Sequence, residues 1–187
     1  MKKLLISLVA LISLAGISFA DIQADIDSAR ALYDAEEYVQ AQAAYEQILL
    51  DYPEASIDRL ADAQRMIGRS LRSQGKHEEA LIEFQKVIDN YPEASIDRLA
   101  YAQRMIGESL SRQGKHEEAN EAYLKAAFDY GFISLGHQEI IFRDINTIAL
   151  GTEGYKEYLR NLLLIVPAVP ENVEFLGRVS SQLDVLR

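Results

Sequence analysis

An all-α solenoid of antiparallel helix pairs, closed by a C-terminal capping helix, is the fold this sequence predicts. Three observations carry the expectation. Residues 52–80 recur at 91–119, 39 positions on, with four differences in 29 places: Asp62/Tyr101, Arg69/Glu108, Arg72/Ser111 and Ser73/Arg112. Apolar residues inside each copy recur at helical spacing. Gly and Pro fall at the same places in both copies. A fixed period of this size marks a stack in which each unit buries its apolar face against its neighbours.

Residues 1–20 are read as a leader and not as part of the fold. Lys2 and Lys3 precede an apolar run from Leu4 to Ala15, and Ser18-Phe19-Ala20 sets small residues where a signal peptidase reads, so cleavage before Asp21 is expected. The competing reading is an uncleaved anchor, but the run is shorter than the roughly 20 residues a spanning helix needs. No stable membrane insertion is expected after cleavage. The expected destination is the bacterial periplasm or the exterior. The chain has no cysteine, which excludes disulfides, thiolate metal sites and cysteine catalysis. Its formal charge of −10 becomes −12 once the two leader lysines are gone. Such a surface repels nucleic acid and anionic membranes.

The elements follow in order. Three helix pairs are expected at about 22–53, 54–92 and 93–131. In the second, Leu60, Ala63, Ile67, Ser70 and Gln74 share one face, with Leu71 beside them. Gly75 stops that helix. Glu78 and Glu79 suit the positive start of the next, which carries Ala80, Phe84, Val87, Ile88 and Tyr91 inward and ends before Pro92. Gly68 and Gly107 lie mid-helix, where Gly costs about 1 kcal/mol relative to Ala. Close approach of Gly68 to Ala80, and of Gly107 to Ala119, is the expected compensation. Residues 132–187 read as a degenerate pair, Gln138–Leu150 and Tyr155–Val166, followed by a capping helix from Pro170 to about Val185. The run Leu162-Leu163-Leu164-Ile165-Val166 is expected to be buried by that cap. The alternative is a docking patch for a partner.

The unit resembles the tetratricopeptide repeat. Gly68, Gly75, Ala80, Phe84 and Pro92 stand at that family's small, turn, small, aromatic and proline places, as do Gly107, Gly114, Ala119 and Tyr123 in the third unit, where Gly131 replaces the proline. In the first unit Ala29, Ala41, Tyr45 and Pro53 match, and Glu36 stands at the turn glycine. The 39-residue period exceeds the usual 34. The extra residues, Glu-Ala-Ser-Ile-Asp, are expected to lengthen the first helix of the pair at its start. The Tyr-Pro-x-x-Ser junction is similar to that of bacterial envelope members such as the Tol-Pal-associated periplasmic protein. The resemblance implies a right-handed superhelix whose first helices line a concave binding groove.

Catalytic chemistry finds little support. His77 and His116 are one turn residue copied twice. His137 lies near Glu139 and Asp144, but no second histidine lies one turn away, so no metal site is expected. No phosphate loop or nucleophile elbow occurs, and no cofactor is implied. The four differences between the copies are more informative. Relative to Asp62 they fall at about 0°, −20°, −80° and +20° around one helix, an arc of about 100°. Drift of exposed positions would produce such an arc, yet Glu54, Asp58, Lys76, His77 and Glu78 did not drift. The arc is read as the groove: Asp62, Arg65, Met66, Arg69, Arg72, Tyr101, Arg104, Met105, Glu108 and Arg112. Arginine forks suit carboxylates, and Tyr and Met give adaptable apolar contact. The Lys/Asn carboxylate clamp of chaperone-binding members is absent. The expected function is a non-catalytic scaffold or adaptor of the bacterial envelope that binds a protein or an acidic peptide. The alternatives are a self-assembling structural protein, in which homo-oligomers form, or a hydrolase with a C-terminal site.

Overall fold

The structure is a computed structural model that describes residues 21–130, 142, 153–165 and 172–186. The expected leader, most of the expected helix Gln138–Leu150, and His137 lie outside these residues. Among the described residues the helices are, in chain order, α1 (21–34), α2 (Tyr38–Asp51), α3 (Ile57–Ser73), α4 (His77–Asn90), α5 (Ile96–Arg112), α6 (His116–Asp129), α7 (Glu153–Ile165) and α8 (Val173–Val185); Phe142 is also helical. No strand occurs among the described residues. From α2 to α6 each helix packs on the next, and α3 also meets α5. The α1 helix joins them through Ile22 and Ala29, which share a cluster with Tyr45 and Ile48 of α2, so the helix pairs stack as a solenoid.

The turn inside each pair is the same backbone device. After α3, the Gly75 amide donates to the Arg72 carbonyl at 2.9 Å and the Lys76 amide to the Leu71 carbonyl at 3.0 Å. This six-to-one closure needs a left-handed residue just past the helix. Gly75 and Gly114 supply it at φ 78° and 76°. In the first pair Glu36 takes the same turn at φ 63°, and the Glu37 amide reaches the Leu32 carbonyl at 2.9 Å. Tertiary packing holds a side chain there in a region that costs an L-residue roughly 1–2 kcal/mol. Between pairs, Ala55 and Ala94 amides donate to Tyr52 and Tyr91 carbonyls, and Ser56 and Ser95 lead into helices of 17 residues. The extra residues of the period thus form part of this turn and the first residues of α3 and α5.

The mid-helix glycines have a different partner from the one expected. A Cβ on Gly68 would lie 2.8 Å from the Phe84 ring, and one on Gly107 would lie 2.8 Å from the Tyr123 ring. The aromatic ring is thus the nearest neighbour over each glycine. Ala80 and Ala119 are fully buried as well. Phe84 is fully buried, so the cost of glycine is offset by ring burial, worth about 1.5–3 kcal/mol for such a side chain.

Two apolar clusters divide the chain. The first runs from Ile22 and Ala29 through Tyr45, Ile48, Ile67, Phe84 and Val87 to Met105 and Ile106. The second joins Ala119, Tyr123 and Ala126 of α6 to Phe142, Tyr155, Leu159 and Leu162. The α8 helix contributes Phe175, Val179 and Leu183 to it, and Phe142 meets Phe175 edge-on at 5.6 Å. The apolar end of α6 is thereby covered. The expectation for the leucine run is corrected in part: Leu162 is fully buried, but Leu163 is at the surface and Leu164 is 81 % exposed. One helical face cannot bury three consecutive residues 100° apart.

Candidate functional site

The first helices of the three pairs, α1, α3 and α5, present equivalent positions at 39-residue intervals. Gln23, Asp62 and Tyr101 form one row. Ile26, Arg65 and Arg104 form the next, then Arg30, Arg69 and Glu108. The structure brings the varied positions of adjacent units together. The Arg65 guanidinium lies 4.9 Å from the Tyr101 ring centroid, and the Arg104 guanidinium lies 5.4 Å from the same ring. Arg69 covers the Tyr33 ring at 4.7 Å. A cation over an aromatic face is worth about 0.5–1 kcal/mol at exposed sites.

Carboxylates occupy part of the same surface. Arg65 Nε meets Asp62 Oδ1 at 3.1 Å within α3. Between α3 and α5, Arg98 reaches Asp62 at 2.8 Å and Asp58 at 3.3 Å, and Arg72 reaches Glu108 at 2.8 Å. Arg112 approaches Glu108 from within α5 at 3.4 Å. The expected strip of arginines is therefore interleaved with acids. Glu108 is decisive: it stands where the preceding unit has Arg69, and it takes the hand of Arg72.

Eight of the ten expected groove residues share this surface. Met66 and Met105 are 6 % and 1 % exposed and belong to the core, and Met66 touches the site only from beneath, where its sulfur accepts from Arg69 at 3.5 Å and it borders a cavity beside Asp62 and Arg65. Each lies about 40° around its helix from Asp62 or Tyr101, on the side away from Arg65 or Arg104 and toward the packed face. The copied histidines differ in setting, His116 exposed and His77 half-buried, beside a shallow polar depression formed with Arg72, Glu108 and Arg112.

A cavity of about 130 Å³ lies between α1, α2 and α3, bounded in part by Gln23, Arg30, Tyr45, Arg59, Asp62 and Arg65. Tyr45 is 2 % exposed, and its hydroxyl has no hydrogen-bond partner. Burial pushes that hydroxyl above the ordinary phenol range, while Arg30, Arg65 and Arg69 pull it back down and Asp34 adds to the rise. Sequence reasoning took Tyr45 only as the packing aromatic of its unit and missed Arg30 and Arg59. The available signal was the period: Arg30 stands one repeat before Arg69, and Arg59 one before Arg98. Among the described residues no cluster of three metal-ligating side chains occurs, and no helix is long and apolar enough to cross a membrane.

A stack of helix pairs with a glycine turn, a ring over a small residue and side chains gathered on the first helices defines a repeat module whose class the comparisons name. Residues 26–95 match the model of the tetratricopeptide repeat family. The fold of the chain as a whole is similar to a crystal structure of a Podosopora anserina protein assigned as a kinesin light chain with nearly identical TPR-like repeats. That likeness has a TM-score of 0.53 at 13% identity and covers 88% of this chain and 94% of the other. No curated protein matches the chain in sequence. Repeats of this family generally mediate protein–protein interaction.

Proposed function

We propose that the protein is a non-catalytic interaction scaffold of the bacterial envelope that holds an acidic segment of a partner protein along α3 and α5. One observation carries this reading. Arg65 and Arg104 both face the Tyr101 ring, and Arg69 faces Tyr33, on a chain of net charge −10. The local sign opposes the overall one, and each of these guanidinium groups is held against an aromatic ring. Planar forks of this kind pair with carboxylates through two parallel hydrogen bonds. Envelope placement rests on the leader-like residues 1–20.

The test has two linked steps. Crosslinking in cells, followed by pull-down from the envelope fraction, recovers a partner together with a chain that starts at Asp21. Calorimetry then compares that partner with the native chain and with the Arg65→Glu, Arg104→Glu double variant. Loss of a desolvated pairing of this kind costs about 2–5 kcal/mol. Unchanged affinity with an intact helical spectrum moves binding to another surface. Recovery of the chain with Met1 retained in the membrane favours the anchor.

A further inference from the structure

We propose that the cavity between α1, α2 and α3 binds a carboxylate, taking one acidic side chain of the partner, with Tyr45, Arg30 and Arg65 as donors. The proposal rests on the groove reading and adds a defined subsite to it.

The first argument is the Tyr45 hydroxyl. The residue is 2 % exposed, yet its oxygen has no hydrogen-bond partner. A buried hydroxyl left unpaired destabilises the fold. Packing does not require it. The equivalent residue one unit on is Phe84, which is fully buried over Gly68 with no hydroxyl at all. The tyrosine at 45 is thus costly for stability, and it borders a space that can hold an acceptor.

The second argument is charge. Arg30, Arg59 and Arg65 border the cavity against one carboxylate, Asp62, which already meets Arg65 at 3.1 Å. Arg30 makes no ion pair with any described residue. The next junction shows how this architecture satisfies itself when the acid is built in: Arg98 takes Asp62 at 2.8 Å. One repeat earlier the corresponding pair is Arg59 with the neutral amide of Gln23, at 3.5 Å. At this one position the chain has a carboxylate, Asp62, in the second unit and an amide, Gln23, in the first.

Size and position complete the case. The volume of about 130 Å³ far exceeds the roughly 15 Å³ that admits a first water, so a carboxylate with its methylenes fits. Arg65 both borders the cavity and stacks on Tyr101, which makes the site continuous with the inner surface of α3 and α5. That continuity favours a side chain of a bound segment over a free small acid.

Three probes in an NMR titration of the full chain, read at the arginine side-chain Nε–H signals, test the assignment: a capped Gly-Glu-Gly peptide, its Gln counterpart, and free glutarate. The Glu peptide is expected to move the Arg30 and Arg65 signals, and the Gln peptide is not. Tyr45→Phe is expected to weaken the Glu peptide by about 10- to 100-fold, the scale of one hydrogen bond to a charged group. The same variant is expected to melt no lower than the native chain, because it removes an unpaired buried hydroxyl. Equal binding by Tyr45→Phe overturns the site, as does equal binding of the Gln peptide. Glutarate binding without Glu-peptide binding overturns the assignment to a protein side chain. Arg104→Gln separates this site from the groove: it leaves these small probes unaffected and weakens the whole partner. Loss of the partner with unaltered Tyr45→Phe behaviour refutes the subsite and leaves the groove reading standing.

Discussion

The second and third helix pairs share 25 of the 29 residues compared and differ in the side chains their first helices carry at the surface. Their cores are superposable in chemistry: Gly68 under Phe84 and Gly107 under Tyr123, Gln64 and Gln103 both buried, Gly75 and Gly114 in the same left-handed turn. Their inner surfaces are not. The second pair presents Arg65, Arg69 and Arg72, whereas the third presents Tyr101, Arg104 and Glu108. The changed residues also meet one another across the junction. Tyr101 lies under Arg65, and Glu108 binds Arg72. A third unit identical to the second would set arginine against arginine there. Divergence of the copies therefore did two things at once: it varied the side chains on the first helices and made neighbouring units complementary.

The strongest way to break the comparison is at the shared core. Phe84→Ala and Tyr123→Ala are expected to cost about 3–5 kcal/mol each, because both empty the space over a glycine. Thermal or denaturant unfolding checks this. Similar losses at both positions confirm equivalent cores, and tolerance of either one separates them. A smaller effect sharpens the difference at the surface. Glu108→Arg removes a half-buried ion pair and opposes Arg72 with a like charge, for an expected loss of about 1 kcal/mol. Adding Arg72→Glu is expected to restore most of it, and a double-mutant cycle reads the coupling directly. No recovery places the cost elsewhere in α5. The smallest effect concerns the turns. Glu36→Gly gives the first pair the glycine of the other two and is expected to gain about 0.5 kcal/mol, the relief of a left-handed side chain less the added freedom of the unfolded glycine. A loss would mean that the Glu36 side chain stabilises its own turn.

Much of this molecule was legible in advance because repetition reports on itself. Helix ends at Gly75 and Gly114, the inward faces of α3 and α4, and the clustering of the four differences on one arc all follow from spacing alone. The partners of those residues do not. Gly68 was expected against Ala80 because both are small, but the ring four residues further on is what reaches across. Met66 and Met105 were expected in the groove because they lie beside the varied arc, and a further rotation of about 40° takes them to the packed side. Helical angle decides the side of a helix. The width of the buried side depends on how many neighbours press on it, and α3 has α2, α4 and α5 around it.

Sequence by itself determined the helices of the repeats, their glycine turns and the period, because each is a local or strictly periodic property. Tertiary structure alone decided which arginine is matched by an acid, which lies over a ring, and which borders a cavity. Those outcomes depend on the offset between neighbouring helices. A single offset sets Arg98 on Asp62 at one junction and Arg59 on Gln23 at the other, and it places Tyr45, whose hydroxyl has no partner, at the edge of a cavity.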